Sequence, residues 1–169
     1  LAIALYSVRY VIERDWPRFV LLILIGSLFH KSLLVVLLLY ILAEMKWKKW
    51  MGIVAGCFCI TFLFLKDQYL QLVIWLYPSY QNTEYLSGGT SYVNIARCLA
   101  VILLSLLYYR ETIQGNRKNE FMFHCNIMAL LLYVFCSFLP VISRIGYYLT
   151  VTQILLVPAI LLNIPKDRQ

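Results

Sequence analysis

Residues 19–29 read FVLLILIGSLF and residues 99–109 read LAVILLSLLYY. Neither stretch alternates apolar with polar residues, as a half-exposed strand would, and neither carries the broad polar stripe of a helix lying on a water-soluble core. A segment apolar on all sides suits a helix whose surroundings are themselves apolar. The same texture runs through the chain: 62% of its 169 residues are hydrophobic and its mean hydropathy is +0.77. That is more apolar surface than one soluble domain of this length can hide, and the excess must face lipid. The expected fold class is therefore all-α, a polytopic transmembrane helix bundle forming one domain over residues 1–169. A barrel is excluded because its strands of about ten residues would alternate in polarity.

Working outward, apolar runs occupy 1–12, 19–43, 50–65, 93–109, 121–142 and 145–164. Most approach the length that crosses about 30 Å of hydrocarbon at about 1.5 Å per residue. Charged punctuation separates them: ERDWPR at 13–18, Lys46-Trp47-Lys48-Lys49-Trp50, and a loop at 110–120 with Arg110, Arg117 and Lys118. Lys166 and Arg168 end the chain, whereas 66–92 holds only Lys66. By the positive-inside rule, 44–49 and 110–120 are cytoplasmic, while 66–92 and the turn at 140–144 lie outside. The loop 66–92 is rich in tyrosine and contains a Gly88-Gly89 turn, and its YLQLVIWLYP stretch at 69–78 suits a helix in the outer interface.

The run at 19–43 is interrupted by His30-Lys31-Ser32. It is either one broken span or a re-entrant pair of half-helices with both ends inside; in either case His30 sits roughly 16 Å from one end, near mid-bilayer. The net charge of +7 is distributed in small groups beside apolar runs, which argues for membrane topology and against nucleic acid. All five cysteines fall in apolar runs, where thiols act as small hydrophobes, so no disulfide, no metal site and no cofactor is expected. Leu1 opens directly on an apolar stretch without a basic leader, so the chain is expected to be a fragment.

Ionisable groups at membrane depth cost several kcal/mol unless they face a polar cavity. The F-H-K-S element at 29–32 is therefore a candidate centre: His30 as a general base or orienting group, with Ser32 beside it and Lys31 as a substrate contact. The other reading is a helix break whose polar groups satisfy one another. On 93–109, helical spacing puts Asn94, Arg97, Ser105 and Tyr108 on one face, expected to look inward, unless Arg97 reaches for headgroups instead. On 145–164, Arg144 is followed by Tyr147 and Tyr148, a set suited to a diphosphate bordered by a sugar, or to an ordinary aromatic belt. Asn126, Tyr133 and Ser137 read as interhelical contacts. Arg117 reads as an exposed loop arginine. No phosphate-cradling glycine loop, metal-ligand spacing or G-x-S-x-G turn is present.

Two ordered elements carry a family resemblance: the segment 1–43 around FHKS, and SRIGYYLTVTQILLVP at 143–158. Together they resemble the EpsG family of bacterial exopolysaccharide polymerases, which are Wzy-like. This chain has Leu33-Leu34-Val35 where the family pattern has a small residue and often a proline. The resemblance implies a larger protein whose N-terminal half is missing here, set in the bacterial cytoplasmic membrane. It implies polymerisation of polyprenyl-diphosphate-linked oligosaccharides, with membrane lipids and other polysaccharide-assembly proteins as partners. On that reading His30 and Ser32 are catalytic; Arg144, with Arg97 second, binds the diphosphate; Lys31 contacts the substrate; and Tyr147, Tyr148, Tyr80 and Tyr85 stack on sugars. The alternative class is a non-catalytic carrier such as a lipid-oligosaccharide flippase, which would also hold intramembrane charges and a broken helix.

The topology predicts that single cysteines introduced in the full protein at Ser87 and Asn116 react from opposite sides. Ser87 should label from outside intact cells and Asn116 only after permeabilisation; labelling of Asn116 from outside reverses the orientation.

Overall fold

Leucine-, isoleucine- and valine-rich runs in apolar surroundings satisfy their backbone groups most economically within their own segment, as helices. The computed structural model describes residues 1–46, 49–76, 91–139 and 142–163, and every regular element among them is helical. Helices α1 (Ala2–Glu13) and α2 (Trp16–Ser27) are followed by a 3-10 turn, Lys31–Leu34, and α3 (Val35–Glu44). Then come α4 (Lys49–Phe64), α5 (Lys66–Leu76), α6 (Tyr92–Leu107), a single π-helical turn at Tyr109–Ile113, and α7 (Arg117–Phe135). Helices α8 (Ile142–Thr150) and α9 (Gln153–Leu162) close the bundle. The loop read at 66–92 thus begins with a helix, α5, which covers most of the predicted 69–78 stretch. Residues 77–90, with Tyr80 and Tyr85, lie outside the described residues.

The run at 19–43 is a helical hairpin. Helix α2 is capped by Asp15, whose side chain accepts from the Arg18 amide at 3.3 Å, and Pro17 suits its first turn. At its far end the amides of Phe29 and His30 both bond the Gly26 carbonyl at 3.2 Å, and His30 swings to an extended backbone with φ −150°. The chain then re-enters a helix through Leu33, whose amide bonds the His30 carbonyl at 2.9 Å. Glycine is required at 26 by closeness: a Cβ there would stand 2.5 Å from Leu33 Cδ2. Returning, α3 runs antiparallel to α2. The Phe19 and Tyr40 rings stack at 6.1 Å, and Arg14, just before α2, lies 4.0 Å from Glu44 at the end of α3. Both ends of the hairpin therefore sit at one end of the bundle.

That end is charged and tightly bonded. Arg117 at the start of α7 donates from Nε to Glu44 Oε1 at 2.7 Å, makes a second bond to the same oxygen from Nη2, and reaches the Val11 carbonyl at 3.4 Å. Arg117 is thus an ion-pair partner of a carboxylate only 11% exposed, and not the free loop arginine expected from sequence. His124 Nδ1 lies 2.9 Å from the Ala43 carbonyl, one of the acceptors that the end of α3 leaves open. Arg14 itself adopts the left-handed conformation, φ 58°, to let α1 turn into α2.

Helix α7 has 19 residues and rises about 28 Å, with α3, α4, α6, α8 and α9 packed around it. The core it organises includes Phe19, Ile23, Tyr40, Phe121, Met122, Leu149 and Leu156. Helices α8 and α9 form one stretch, Ile142–Leu162, which among the described residues is the only helix long and apolar enough to cross a membrane. It bends at Val151-Thr152, where the Thr152 amide bonds Leu149 at 3.3 Å instead of Tyr148. The freed Tyr148 carbonyl accepts from the Tyr40 hydroxyl at 2.9 Å.

Near the other end of α7, Tyr133 packs where a side chain at Gly146 would project, its ring and hydroxyl occupying the Cβ position. Gly146→Ala is expected to cost about 1–3 kcal/mol by overpacking. Adding Tyr133→Ala should recover part of that loss, read as thermal unfolding of the two single variants and the double variant in detergent. Additive losses would show that the two positions do not meet.

Candidate functional site

The hairpin tip presents four exposed residues in a row: Leu28, 83% exposed, Phe29, 87% exposed, then His30 and Lys31. Ser32 turns the other way and is buried, its Oγ 3.0 Å from the Tyr148 hydroxyl of α8. A hydroxyl taken out of water without a partner costs about 1–3 kcal/mol, so this bond has a sign: it favours the tip lying against α8. Ser32 was expected to be the polar partner of His30; its bond runs to Tyr148, and the His30 imidazole has no hydrogen bond among the described residues.

Helix α8 carries the other candidates on adjoining faces. Arg144 stands one turn before Tyr148 on the same side and is exposed. Tyr148 is only 5% exposed and is spent on the hairpin, so of the tyrosine pair only Tyr147, at 42%, offers a free ring. On the neighbouring face Arg97 Nη2 donates to Thr150 Oγ1 at 3.2 Å. The buried stripe of α6 is Asn94, Cys98, Val101 and Ser105, and Tyr108, which follows the helix, is half-buried against the core, whereas Arg97 is exposed, so the expected inward face holds for Asn94, Ser105 and Tyr108 and not for Arg97. Deeper along the same seam, Gln153 Nε2 donates to Asn126 Oδ1 at 2.7 Å, tying α9 to α7.

Charge is distributed unevenly between the two regions. At the hairpin base Arg9 pairs with Glu13 at 2.8 Å, Arg18 with Asp15 at 3.2 Å, and Arg117 with Glu44. Around the tip and α8, His30, Lys31 and Arg144 have no carboxylate partner among the described residues, and Arg97 has only a hydroxyl. Lys31, Arg144 and Arg97 are thus cationic donors without a carboxylate, beside an imidazole, an arrangement suited to an anion with several oxygens.

Comparison with known proteins bears on what that anion is. A family model matches residues 1–169, the whole of the sequence, and its description is the EpsG family. The chain belongs to the EpsG family. No curated protein and no solved structure matches it. Membership of the EpsG family implies a polysaccharide polymerase-like role in exopolysaccharide biosynthesis, and a membrane setting for the helices.

In this EpsG chain the fold gathers the FHKS element and the R-x-x-Y-Y element, distant in sequence, through the Ser32–Tyr148 contact. Arg97 meets α8 at Thr150, two residues past Tyr148, and Tyr80 and Tyr85 fall outside the described residues. Sequence reasoning passed over Tyr40, which is fully buried and holds Tyr148 by its carbonyl, and Thr150, which receives Arg97. The available signal for Tyr40 was a polar-tipped ring inside an otherwise aliphatic helix.

Tyr148→Phe keeps the ring and deletes the bond to Ser32. Amide hydrogen exchange at 28–34 is expected to accelerate about ten-fold, with 117–125 unchanged, as measured by mass spectrometry. Unchanged exchange at the tip would mean that the contact does not hold it.

Proposed function

We propose that this EpsG-family chain is part of a polytopic bundle in the bacterial cytoplasmic membrane and that it polymerises lipid-linked oligosaccharide repeat units at the outer face. The hairpin 16–44 enters the membrane and returns, its Glu44 base on the cytoplasmic side and its tip in the outer half. What carries this reading is the pair of cations without a carboxylate partner among the described residues, Lys31 and Arg144, beside the His30 imidazole at a tip held by the Ser32–Tyr148 bond in a helical, apolar setting. Cations in such a setting require an anionic counterpart, and a polyprenyl diphosphate is one with oxygens enough for all.

The reaction on this reading is glycosyl transfer. A sugar hydroxyl of the acceptor unit attacks the anomeric carbon of the chain on the donor lipid; a new C–O bond forms there while the bond to the diphosphate oxygen breaks. The electron pair leaves with the diphosphate, whose added charge Arg144 and Lys31 stabilise, with Arg97 second. His30, unencumbered by a hydrogen bond and exposed at the tip, takes the hydroxyl proton. Ser32 acts through position: bonded to Tyr148, it sets where His30 stands. Tyr147 borders the sugar.

In the full-length protein His30→Gln keeps hydrogen-bonding capacity but cannot take up a proton near neutral pH. It is expected to leave the protein inserted and abundant while lowering polymer formation by roughly two to four orders of magnitude. Arg144→Lys should shorten polymer more than Arg110→Lys, Arg110 being exposed and remote from the tip, because lysine lacks the planar fork. Wild-type polymer from His30→Gln removes the base assignment, and normal polymer from Arg144→Ala removes Arg144 from the site.

A further inference from the structure

Along its outward side α2 carries Val20, Leu21, Leu24 and Ile25, between 37% and 59% exposed, and the row runs on into the tip through Leu28 and Phe29. The two residues after Phe29 are His30 and Lys31, exposed and without partners among the described residues. Exposed phenylalanine and leucine are unfavourable in water, and an exposed lysine is unfavourable in hydrocarbon, so the tip marks a fixed step from one medium to the other. The step does not wander, because Ser32, next to Lys31, is bonded to Tyr148 at 3.0 Å. An apolar row of about 18 Å that ends on an imidazole and an ammonium without a carboxylate partner complements a molecule with a long apolar tail and an anionic head. Arg144 is an exposed cation one helical turn before Tyr148, the residue that bonds the tip.

We infer that Leu28, Phe29 and the outward row of α2 hold the isoprenoid tail of the lipid-linked substrate, with His30 and Lys31 at its diphosphate. The inference rests on the proposed function and adds to it a determinant of lipid chain length. The tail lies along α2 towards the hairpin base, and the head meets the cations at the tip. Loss of Phe29 therefore weakens binding in proportion to tail contact, and loss of Arg144 weakens it whatever the tail.

The test is equilibrium binding to the full-length protein in nanodiscs, using a radiolabelled long-chain polyprenyl diphosphate and geranyl diphosphate as probes. Wild type should prefer the long chain. Phe29→Ala, and Leu28→Ala as a second exposed variant, should weaken long-chain binding about ten-fold and leave geranyl diphosphate unchanged. Leu162→Ala, equally exposed on α9 at 85%, should change neither. Unaltered chain-length preference in both tip variants overturns the inference alone, whereas a wild type that binds neither probe overturns the proposed function with it. A benzophenone amino acid at position 29, irradiated with the long-chain probe present, should give an adduct to the probe. Adducts solely to bulk phospholipid or to protein overturn the assignment of the tail.

Discussion

Tyr148 is bonded at both its polar ends, and the rest of the arrangement depends on it. Its hydroxyl holds Ser32 at the hairpin tip and its carbonyl holds Tyr40 on the hairpin's return helix. In apolar surroundings such bonds lack competition from water, so each polar group either finds a protein partner or bears the whole cost of having none. Tyr40 also reaches the Ala4 carbonyl at 3.3 Å, which brings α1 into the same joint, and its ring stacks on Phe19 and meets Phe121 edge-on at 5.3 Å. The tip and return helix of the hairpin are thereby fixed to one residue of α8, and α1 is joined to it through Tyr40.

The hairpin is consequently held at both ends by different chemistry. Its base is fixed by charge, through Glu44 and Arg117, and its tip by a neutral bond between hydroxyls. The base clamp lies where arginines and carboxylates crowd together, so its Coulomb component is partly screened. The tip bond involves buried oxygens and is insensitive to salt. Between the two, aromatic packing supplies stiffness. The result is a rigid arm that carries two apolar and two basic side chains to a defined place beside α8.

Helix content was legible in the sequence because the apolar runs have no rival interpretation, but helix ends follow the runs unevenly: α6 is Tyr92–Leu107 where the run is 93–109, whereas α7 is Arg117–Phe135 where the run is 121–142. The break at His30-Lys31-Ser32 was legible for the same reason that it is unusual, a polar triplet inside an aliphatic run. Whether that run crosses or doubles back was not, since direction depends on Arg14 meeting Glu44 and Phe19 meeting Tyr40, contacts between residues more than twenty positions apart. Side-chain direction at the site was the weakest part. Spacing placed Tyr147 and Tyr148 together, but adjacent residues of a helix point about 100° apart, and only packing decides which of them is buried. Arg97 illustrates the same limit: one position away from buried Cys98, it faces outward.

The bend at Val151-Thr152 has a thermodynamic corollary. A straight helix would close a bond from the Thr152 amide to the Tyr148 carbonyl, the same oxygen that the Tyr40 hydroxyl occupies. The interrupted ladder leaves that oxygen without its helical donor, and the Tyr40 hydroxyl supplies one in its place. Undocking the hairpin would leave the Tyr148 carbonyl buried with neither donor, so the break in the last helix and the docked hairpin favour one another.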